Sequence, residues 1–312
     1  MAVHPYPFAS EQVVKIGGYT NMSMTSEQAE QQTNNEALWA ADTVYRPGLF
    51  AGKVALVSGA GSGIGRATAL LFARLGAKVA ICGRKAEKLD AVVDFARARG
   101  ADMMGIPTDV REPGQIDALF ARIHAAWGRL DCTVNSAGGQ YSQHALGLTP
   151  KGWAAVINNN LNGSWYMMQR AAQYWRDHSP PDGADASIVN IVVVTERGMP
   201  GVAHTVAARA GIIGASRTVA VEWAPLGIRV NCLAPGLTAT EGLSVYPPEA
   251  VREFPRANPM KRPGTAMEIA EGCVYLSAPS GRFITGEVLT IDGGGRLWGE
   301  LWTAGRPAYY SG

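Results

Sequence analysis

The sequence contains few charged residues, and it lacks both a long apolar run and a cluster of basic residues. Charged residues make up 17% of the 312 residues, and 28 Lys and Arg against 26 Asp and Glu leave a net charge of +2. No Lys/Arg run provides the basic patch typical of a nucleic-acid-binding protein. No apolar run approaches the roughly 20 residues that cross a bilayer. We therefore expect a small-molecule ligand, no nucleic acid and no membrane span.

Cysteine is scarce and forms no motif. The four cysteines are widely separated and make no CxxC or Cys/His pair, so a disulfide framework and a zinc site are both disfavoured, and we predict no metal. The N-terminus lacks the basic-then-apolar pattern of a signal peptide. Acidic residues outnumber basic ones before residue 50, which argues against a mitochondrial transit peptide. The sequence therefore predicts a cytoplasmic protein.

Apolar residues are abundant, at 47% of the chain, which allows a large core and excludes intrinsic disorder over most of the length. We predict an N-terminal extension (1–48), a single domain (49–296) and a C-terminal tail (297–312). The extension includes a polar stretch, 20–35, without strand or helix periodicity. The tail is rich in aromatic residues, namely Trp298, Trp302, Tyr309 and Tyr310. Such residues favour a subunit contact or a pocket cover over a free end.

Within the domain, short apolar runs alternate with helical segments. Apolar strands that are separated by helices imply a parallel sheet covered on both faces. The sequence therefore predicts a single α/β domain built on a Rossmann-type, doubly wound parallel sheet of about seven strands. The predicted strands lie in the segments VALVS, VAIC, MMGI, LDCTVN, SIVNIVVV, IRVNCLA and GEVLTIDGGG.

A glycine-rich loop lies between the first predicted strand and the helix that follows it. Ser58–Gly65 reads Ser-Gly-Ala-Gly-Ser-Gly-Ile-Gly, and backbone amides at such a helix N-terminus can bind a pyrophosphate. Glycines in this position permit a tight turn, close approach to the phosphates and close packing of helix on strand. No Lys-Ser/Thr pair follows, which disfavours a P-loop. The predicted phosphate-binding residues are Ser58, Gly59, Ser62, Gly63, Ile64 and Gly65.

The Gly-x-x-x-Gly-x-Gly spacing resembles that of the short-chain dehydrogenase/reductase family. Further segments are similar to motifs of that family and follow its order, so the resemblance covers about residues 50–295. They are Asn135-Ser136-Ala137-Gly138, Asn160-Leu161-Asn162-Gly163, Arg229-Val230-Asn231, Pro235-Gly236 and Asp292-Gly293-Gly294. Ser136 departs from the asparagine that is usual in the family.

This resemblance implies a nicotinamide cofactor and places several residues along it. Asp109 and Val110 would flank the adenine, and Asn135, Ala137 and Gly138 belong to the implied cofactor site. The segment from Pro235 to Thr240, which includes Gly236 and Thr238, would run beside the nicotinamide.

The end of the second predicted strand indicates which dinucleotide binds. An acidic residue there would accept the ribose hydroxyls of NAD, but the chain has Cys82-Gly83-Arg84-Lys85. A guanidinium beside an ammonium suits a 2′-phosphate. Two solvated cations at a helix start are the alternative. We predict that Arg84 and Lys85 select NADP(H).

The Ser-Tyr-Lys triad that is usual in the family is missing. Thr205 stands at the Tyr position and Arg209 at the Lys position, while Val192 or Val193 replaces the Ser, with Thr195 nearby. An aliphatic hydroxyl is far less acidic than a phenol, so Thr205 alone is not expected to protonate a developing alkoxide. Arg209 can still donate hydrogen bonds to a ribose, and we assign it to both the catalytic and the cofactor site.

Two further residues complete the predicted catalytic set of Asn160, His204, Thr205 and Arg209. His204 belongs to a residue type that commonly serves as a general acid or base, but a helix-start histidine bonded to the backbone is an equal alternative. Asn160 matches the catalytic asparagine of the family, which implies a water-mediated proton relay. A helix kink without chemistry is the alternative for Asn160.

The region around the missing triad resembles two branches of the family. Segments similar to those of 2,4-dienoyl-CoA reductases are Leu161-Asn162-Gly163, Ala220–Trp223 and Leu233–Gly236. Segments similar to bacterial citronellol and citronellal dehydrogenases are Glu196–Gly201 and Ala203-His204-Thr205. Both resemblances imply an apolar substrate. Together with the cations Arg84 and Lys85, they predict an NADP(H)-dependent oxidoreductase for an apolar, terpenoid-like alcohol or aldehyde or an enoyl substrate, with His204 or a relayed water in place of the missing phenol. The family resemblance implies a homo-oligomer (tetramer or dimer). The alternative is a catalytically silent NADP(H)-binding scaffold with an assembly or regulatory role.

Overall fold

A computed structural model describes residues 34–178, 186–246, 248–253, 256 and 258–297. The strands alternate with helices along the chain, as the apolar pattern predicts. They are β1 (Val54–Ser58), β2 (Lys78–Gly83), β3 (Met103–Pro107), β4 (Cys132–Asn135), β5 (Ala186–Ile191), β6 (Ile228–Pro235), β7 (Thr238–Ala239), β8 (Gly264–Thr265) and β9 (Val288–Ile291).

Seven of these strands form one parallel sheet in the order β3-β2-β1-β4-β5-β6-β9. This order confirms the predicted Rossmann-type architecture and its strand number. The chain reverses its direction of winding between β1 and β4, and doubly wound sheets bind ligands at such a switch point, beyond the carboxyl ends of the strands. The short strands β7 and β8 pair separately, with Thr238 opposite Gly264.

Helices cover both faces of the sheet. They are α1 (Asn35–Ala40), α2 (Gly63–Arg74), α3 (Ala86–Arg97), α4 (Pro113–Trp127), α5 (Pro150–Ile157), α6 (Gly163–Asp177), α7 (Ala203–Trp223), α8 (Pro248–Glu253) and α9 (Ala266–Ser277). One apolar cluster joins the sheet to α1, α2, α3 and α9, and a second joins it to α4, α6 and α7. All residues of the central strands β1 and β5 are buried, as expected of strands covered on both sides.

Two helix starts carry the caps that their sequences indicate. The Thr149 side chain accepts a hydrogen bond from the Gly152 amide, and Pro150 opens α5. Thr265 and Glu268 form a reciprocal capping box at the start of α9. Both caps satisfy amides that would otherwise have no partner in the first helical turn.

Residues 34–48 of the predicted extension lie against the domain. Leu38 is 2% exposed, and the Tyr45 hydroxyl donates to the Glu271 carbonyl at 2.8 Å. Burial raises the pKa of Tyr45 to about 12. The boundary after residue 48 stays a prediction. The aromatic residues of the tail, Trp298, Trp302, Tyr309 and Tyr310, lie outside the described residues.

Within the described residues, no helix combines the length and apolar character that a membrane crossing requires.

Candidate functional site

A cleft of about 440 Å³ opens at the carboxyl ends of β1, β2 and β4, at the switch point of the sheet. The predicted cofactor residues that line it are Gly59, Ser62, Gly63, Ile64, Gly65, Arg84, Lys85, Asp109, Val110, Ala137, Gly138 and Thr240. Sequence reasoning missed other lining residues, namely Gly61, Gly83, Lys88, Leu89, Thr108, Ser136, Asn159, Ile191 and Gly242. Most of these residues adjoin predicted residues in the sequence, so extending each motif by one residue would have found them.

Close backbone contacts explain two glycines of the loop. Gly59 adopts a φ of +68°, and a Cβ there would lie 2.8 Å from the Ala137 Cα. A Cβ on Gly65 would lie 2.6 Å from the Gly59 carbonyl oxygen. Neither position accepts a side chain without a backbone shift, and the backbone can therefore bring the N-terminus of α2 to the cleft.

A carboxylate contacts this helix N-terminus. Glu241 Oε2 accepts a hydrogen bond from the Gly63 amide at 3.1 Å, and Glu241 Oε1 accepts one from Arg66 Nη2. Sequence reasoning missed Glu241. The available signal was its position directly after Thr240, the last residue of the segment implied to run beside the nicotinamide.

The end of the cleft beside β2 is cationic. Arg84 and Lys85 are exposed and line it, together with Lys88 from α3. The nearby Asp109 is paired with Arg111, whose Nε donates to its carboxylate at 2.9 Å. This hydrogen bond holds the pKa of Asp109 below its usual value, and the charge of Arg84 adds to the shift. This end of the cleft therefore complements an anion.

Two predicted cofactor residues support the cleft wall from behind. Ser58 is 1% exposed, and its Oγ accepts a hydrogen bond from the Ala137 amide at 3.1 Å. Asn135 is also buried, and its Nδ2 donates to Asn190 Oδ1 at 2.8 Å. In this structure both side chains fix the loop after β4 and the end of the sheet.

The predicted residues at the end of β6 set the path of the chain toward the cleft. Pro235 ends β6, and a Cβ on Gly236 would lie 2.6 Å from the Asp292 Cα. Thr238 lies in β7 and is 8% exposed. This path brings Thr240 to the cleft wall.

Arg209 is a nearly buried cation behind the cleft residue Gly138, with 7% of its surface exposed. A Cβ on the cleft residue Gly138 would overlap with its Nη2 atom. Nη2 lies 3.4 Å from the Ala137 carbonyl oxygen, and Nη1 lies 3.5 Å from both the Asn160 carbonyl oxygen and Ser164 Oγ. Burial lowers the pKa of Arg209 to about 10, so it stays charged at neutral pH. A buried cation held only by long contacts to neutral oxygens favours a polar or anionic ligand.

Asn160 lies in a π-helical turn, Asn158–Asn162, between α5 and α6. Its Nδ2 donates to the Gly139 carbonyl at 2.9 Å, and its Oδ1 accepts from the Gly139 amide at 3.0 Å. The backbone carbonyl of Asn160 faces Arg209. The irregular turn therefore aims a carbonyl at the guanidinium, while the side chain fixes the loop after β4. Such π-helical turns occur frequently at functional sites.

His204 and Thr205 lie in the first turn of α7 and are 0% and 3% exposed. His204 Nδ1 accepts a hydrogen bond from the Thr205 amide at 2.8 Å and lies 3.3 Å from Thr205 Oγ1. A ring nitrogen that accepts this bond carries no proton, so the neutral ring carries its proton on Nε2. That atom is buried and has no hydrogen-bond partner in the described part of the chain. His204 therefore makes the backbone bond of a helix-start histidine and also touches the Thr205 hydroxyl.

Two loops bring apolar and aromatic side chains to this region. After β4, the Tyr141 ring packs edge-on against the His204 ring, with centroids 4.7 Å apart. After β6, Leu243 is 9% exposed. The loops meet where Gln140 Nε2 donates to the Tyr246 hydroxyl at 2.6 Å.

Known proteins share both the motifs and the fold of this chain. A family model described as enoyl-(acyl carrier protein) reductase matches residues 59–295. The chain belongs to the short-chain dehydrogenase/reductase family. A peroxisomal 2,4-dienoyl-CoA reductase of Arabidopsis thaliana is 32% identical over 264 residues, which cover 82% of this chain and 88% of that protein. A probable 2,4-dienoyl-CoA reductase of Bacillus subtilis is 34% identical over 247 residues, or 78% of this chain and 96% of that protein.

A solved dehydrogenase structure has the same fold over most of this chain. The citronellol catabolism dehydrogenase of Pseudomonas aeruginosa matches with a TM-score of 0.72 and 36% identity, covering 82% of this chain and all of that one. The resemblance to the family, to dienoyl-CoA reductases and to a citronellol dehydrogenase is thus confirmed. The chain is a short-chain dehydrogenase/reductase oxidoreductase, a type that uses a nicotinamide dinucleotide, NAD(H) or NADP(H).

Proposed function

We propose that the chain is an NADP(H)-dependent oxidoreductase that transfers hydride to or from an apolar alcohol, aldehyde or enoyl substrate. The pair of cations at the end of β2, Arg84 and Lys85, carries the choice of dinucleotide. They line the cleft at the position where an acidic residue would accept the ribose hydroxyls of NAD. A guanidinium and an ammonium instead complement a 2′-phosphate.

The residues along the cleft fit such a dinucleotide. The close approach at Gly59 and the amides at the N-terminus of α2 suit a pyrophosphate. The buried guanidinium of Arg209 suits a ribose hydroxyl farther along the cleft, because its own protein contacts are long. When bound, the dinucleotide supplies or accepts the hydride. The chain's residues bind it, orient it and move the accompanying proton.

We propose that a relayed water, and not His204, delivers this proton. Protonating His204 Nδ1 would break its bond with the Thr205 amide, and its Nε2 is buried away from solvent. Thr205 and Arg209 lie four residues apart on α7 and therefore on one helix face. The Thr205 hydroxyl can orient a substrate oxygen or a water there, while His204 positions Thr205 from behind.

The substrate class rests on the relatives and on the apolar loops. The names of the relatives refer to dienoyl-CoA and to citronellol, which supports a substrate with an apolar chain. Tyr141 is 38% exposed and packs against His204 at the start of α7, so it offers aromatic surface to such a chain. The silent scaffold is the second candidate, because the phenol that is usual in the family is missing while the cofactor cleft is retained.

One assay separates these two functions. The purified chain is mixed with NADPH or NADP⁺ and a panel of terpenoid alcohols, aldehydes and enoyl thioesters, and nicotinamide absorbance is followed. An absorbance change that requires both substrate and protein supports the oxidoreductase. Tight NADPH binding with no turnover across the panel supports the scaffold, and failure to bind either dinucleotide contradicts both.

Arg84→Asp is expected to weaken NADPH binding by about 10- to 100-fold, because a charge-assisted contact is replaced by repulsion. NADH lacks the 2′-phosphate, so its affinity should change far less. Calorimetric titration of both dinucleotides measures the difference. Arg122→Asp makes the same charge change on the exposed face of α4 and should alter neither affinity. Equal weakening of both dinucleotides by Arg84→Asp would refute the 2′-phosphate assignment.

Thr205→Val is expected to lower kcat about 10- to 100-fold with little change in NADPH affinity, because the isosteric change removes only the hydroxyl. His204→Asn should keep kcat within about threefold and keep the shape of the pH profile, since its side-chain oxygen can still accept the Thr205 amide. Steady-state kinetics between pH 5 and 9 compare the two. If His204→Asn abolished turnover and also removed the arm of the pH–rate profile that falls in the usual histidine range, His204 would be the proton donor.

We also propose a cytoplasmic homo-oligomer, either a tetramer or a dimer. The fully exposed Phe283 and the partly exposed Tyr275 offer apolar surface before the edge strand β9, which supports a contact between copies.

A further inference from the structure

The segment 238–246, here called the strap, is attached at both ends across the cleft. At one end, Glu241 accepts a hydrogen bond from the Gly63 amide at 3.1 Å and forms an ion pair with Arg66. At the other end, the Tyr246 hydroxyl accepts a hydrogen bond from Gln140 Nε2 at 2.6 Å. Between these contacts, Thr240 and Gly242 form part of the cleft wall. The strap therefore joins the helix that begins at the glycine-rich loop to the loop after β4.

The Glu241 contact uses the donors that an anionic ligand of this cleft would use. The N-terminus of a helix binds anions through its free amides and its dipole. Gly63 is the first residue of α2 and lines the cleft, and a carboxylate is already bonded to its amide. A phosphate bound to the same amides would lie next to the negatively charged Glu241 carboxylate, and the two anions would repel each other.

We infer that Glu241 is an internal anion that a cofactor phosphate displaces, and that this exchange releases the strap beside the substrate loops. The inference rests on the proposed function, because it requires a dinucleotide phosphate at the start of α2. Glu241 is then a positioning residue that makes cofactor binding a condition for rearranging the substrate side. The expected consequence is that the wild-type chain binds NADPH more weakly than a variant that lacks the Glu241 carboxylate.

Glu241→Gln removes the charge and keeps the size of the side chain, and Glu241→Lys reverses the charge. We expect NADPH to bind about fivefold more tightly to Glu241→Gln, with a larger gain for Glu241→Lys, by calorimetric titration. Glu253→Gln and Glu253→Lys are matched controls, since Glu253 forms an exposed ion pair with Arg256 farther along the same connection. These two control variants should bind NADPH as the wild type does.

Amide hydrogen exchange, measured without any dinucleotide, tests whether Glu241 holds the strap to the start of α2. Peptides that cover 238–246 should exchange faster in Glu241→Gln than in the wild type and in Glu253→Gln. Unchanged exchange, or unchanged or weaker NADPH binding in both Glu241 variants, overturns the inference while the wild type still binds NADPH. If the wild type binds no dinucleotide at all, the proposed function fails instead. Thermal unfolding of each variant confirms that the comparison is made on folded protein.

Discussion

Arg209→Met is expected to lower turnover about 10³-fold, a loss in the range found when a preorganised charge or donor is removed from an active site. Arg209 is 7% exposed, and its guanidinium makes only long contacts with the oxygens of Ala137, Asn160 and Ser164. Its hydrogen-bonding capacity is therefore available to a ligand. Methionine fills similar space but supplies neither charge nor donors. Steady-state kinetics and NADPH titration measure the two losses.

The same variant is expected to be at least as stable as the wild type at neutral pH. Burial lowers the pKa of Arg209 from its usual value to about 10 in the native state. The native state therefore binds fewer protons than the unfolded state between these values, and this group raises stability as pH increases through that interval. The burial penalty is fully present below about pH 10 and disappears with the charge in Arg209→Met. Thermal unfolding at pH 7 gives the comparison.

Two control variants separate the charge from the position. Arg209→Lys keeps a cation but loses the planar array of donors, so it should recover part of the turnover. Arg217→Met lies on the exposed side of the same helix and should leave turnover unchanged. Near-normal turnover in Arg209→Met would remove this residue from the site. A large loss of stability would show that its main role is structural.

Local sequence patterns were sufficient to predict the architecture. Strands buried on both faces are continuous apolar runs, and the glycine-rich loop can be recognised from its spacing between a strand and a helix. The caps at Thr149 and Thr265 are likewise determined within four residues of sequence. Strands β7 and β8 have two residues each, too few for any periodicity to appear.

The contacts that decide the chemistry connect distant parts of the chain, and they were not predictable in the same way. Glu241 bonds to Gly63 across 178 positions, and a carboxylate at a predicted phosphate site contradicts simple charge matching. Asn160, in its π-helical turn, makes two bonds to Gly139, 21 positions earlier in the chain. The sequence placed His204 beside Thr205, but only the rotamer reveals that Nδ1 is already bonded to the backbone. Orientation at the site thus comes from tertiary packing.

Gly59→Ala is expected to destabilise the chain by about 2–5 kcal/mol and to weaken NADPH binding by at least about 30-fold. The φ of +68° costs an L-residue about 1–2 kcal/mol. The added Cβ would lie 2.8 Å from the Ala137 Cα, and relieving such a contact costs about a further 1–3 kcal/mol. To relieve this contact, the backbone must shift in the glycine-rich loop or in the loop after β4, and both loops form the cleft wall. Affinity should therefore fall together with stability, with 1.4 kcal/mol equivalent to about tenfold.

Gly100→Ala is the matched control for the conformational part of this effect. Gly100 has a φ of +82°, and an added Cβ would have no neighbour within 4 Å. It lies between α3 and β3, away from the cleft wall, so it should lose about 1–2 kcal/mol of stability with unchanged NADPH affinity. Urea unfolding and calorimetric titration on both variants test the difference. If the two variants lost stability equally and both kept their affinity, the close approach of the Gly59 loop to Ala137 would have no part in holding the dinucleotide.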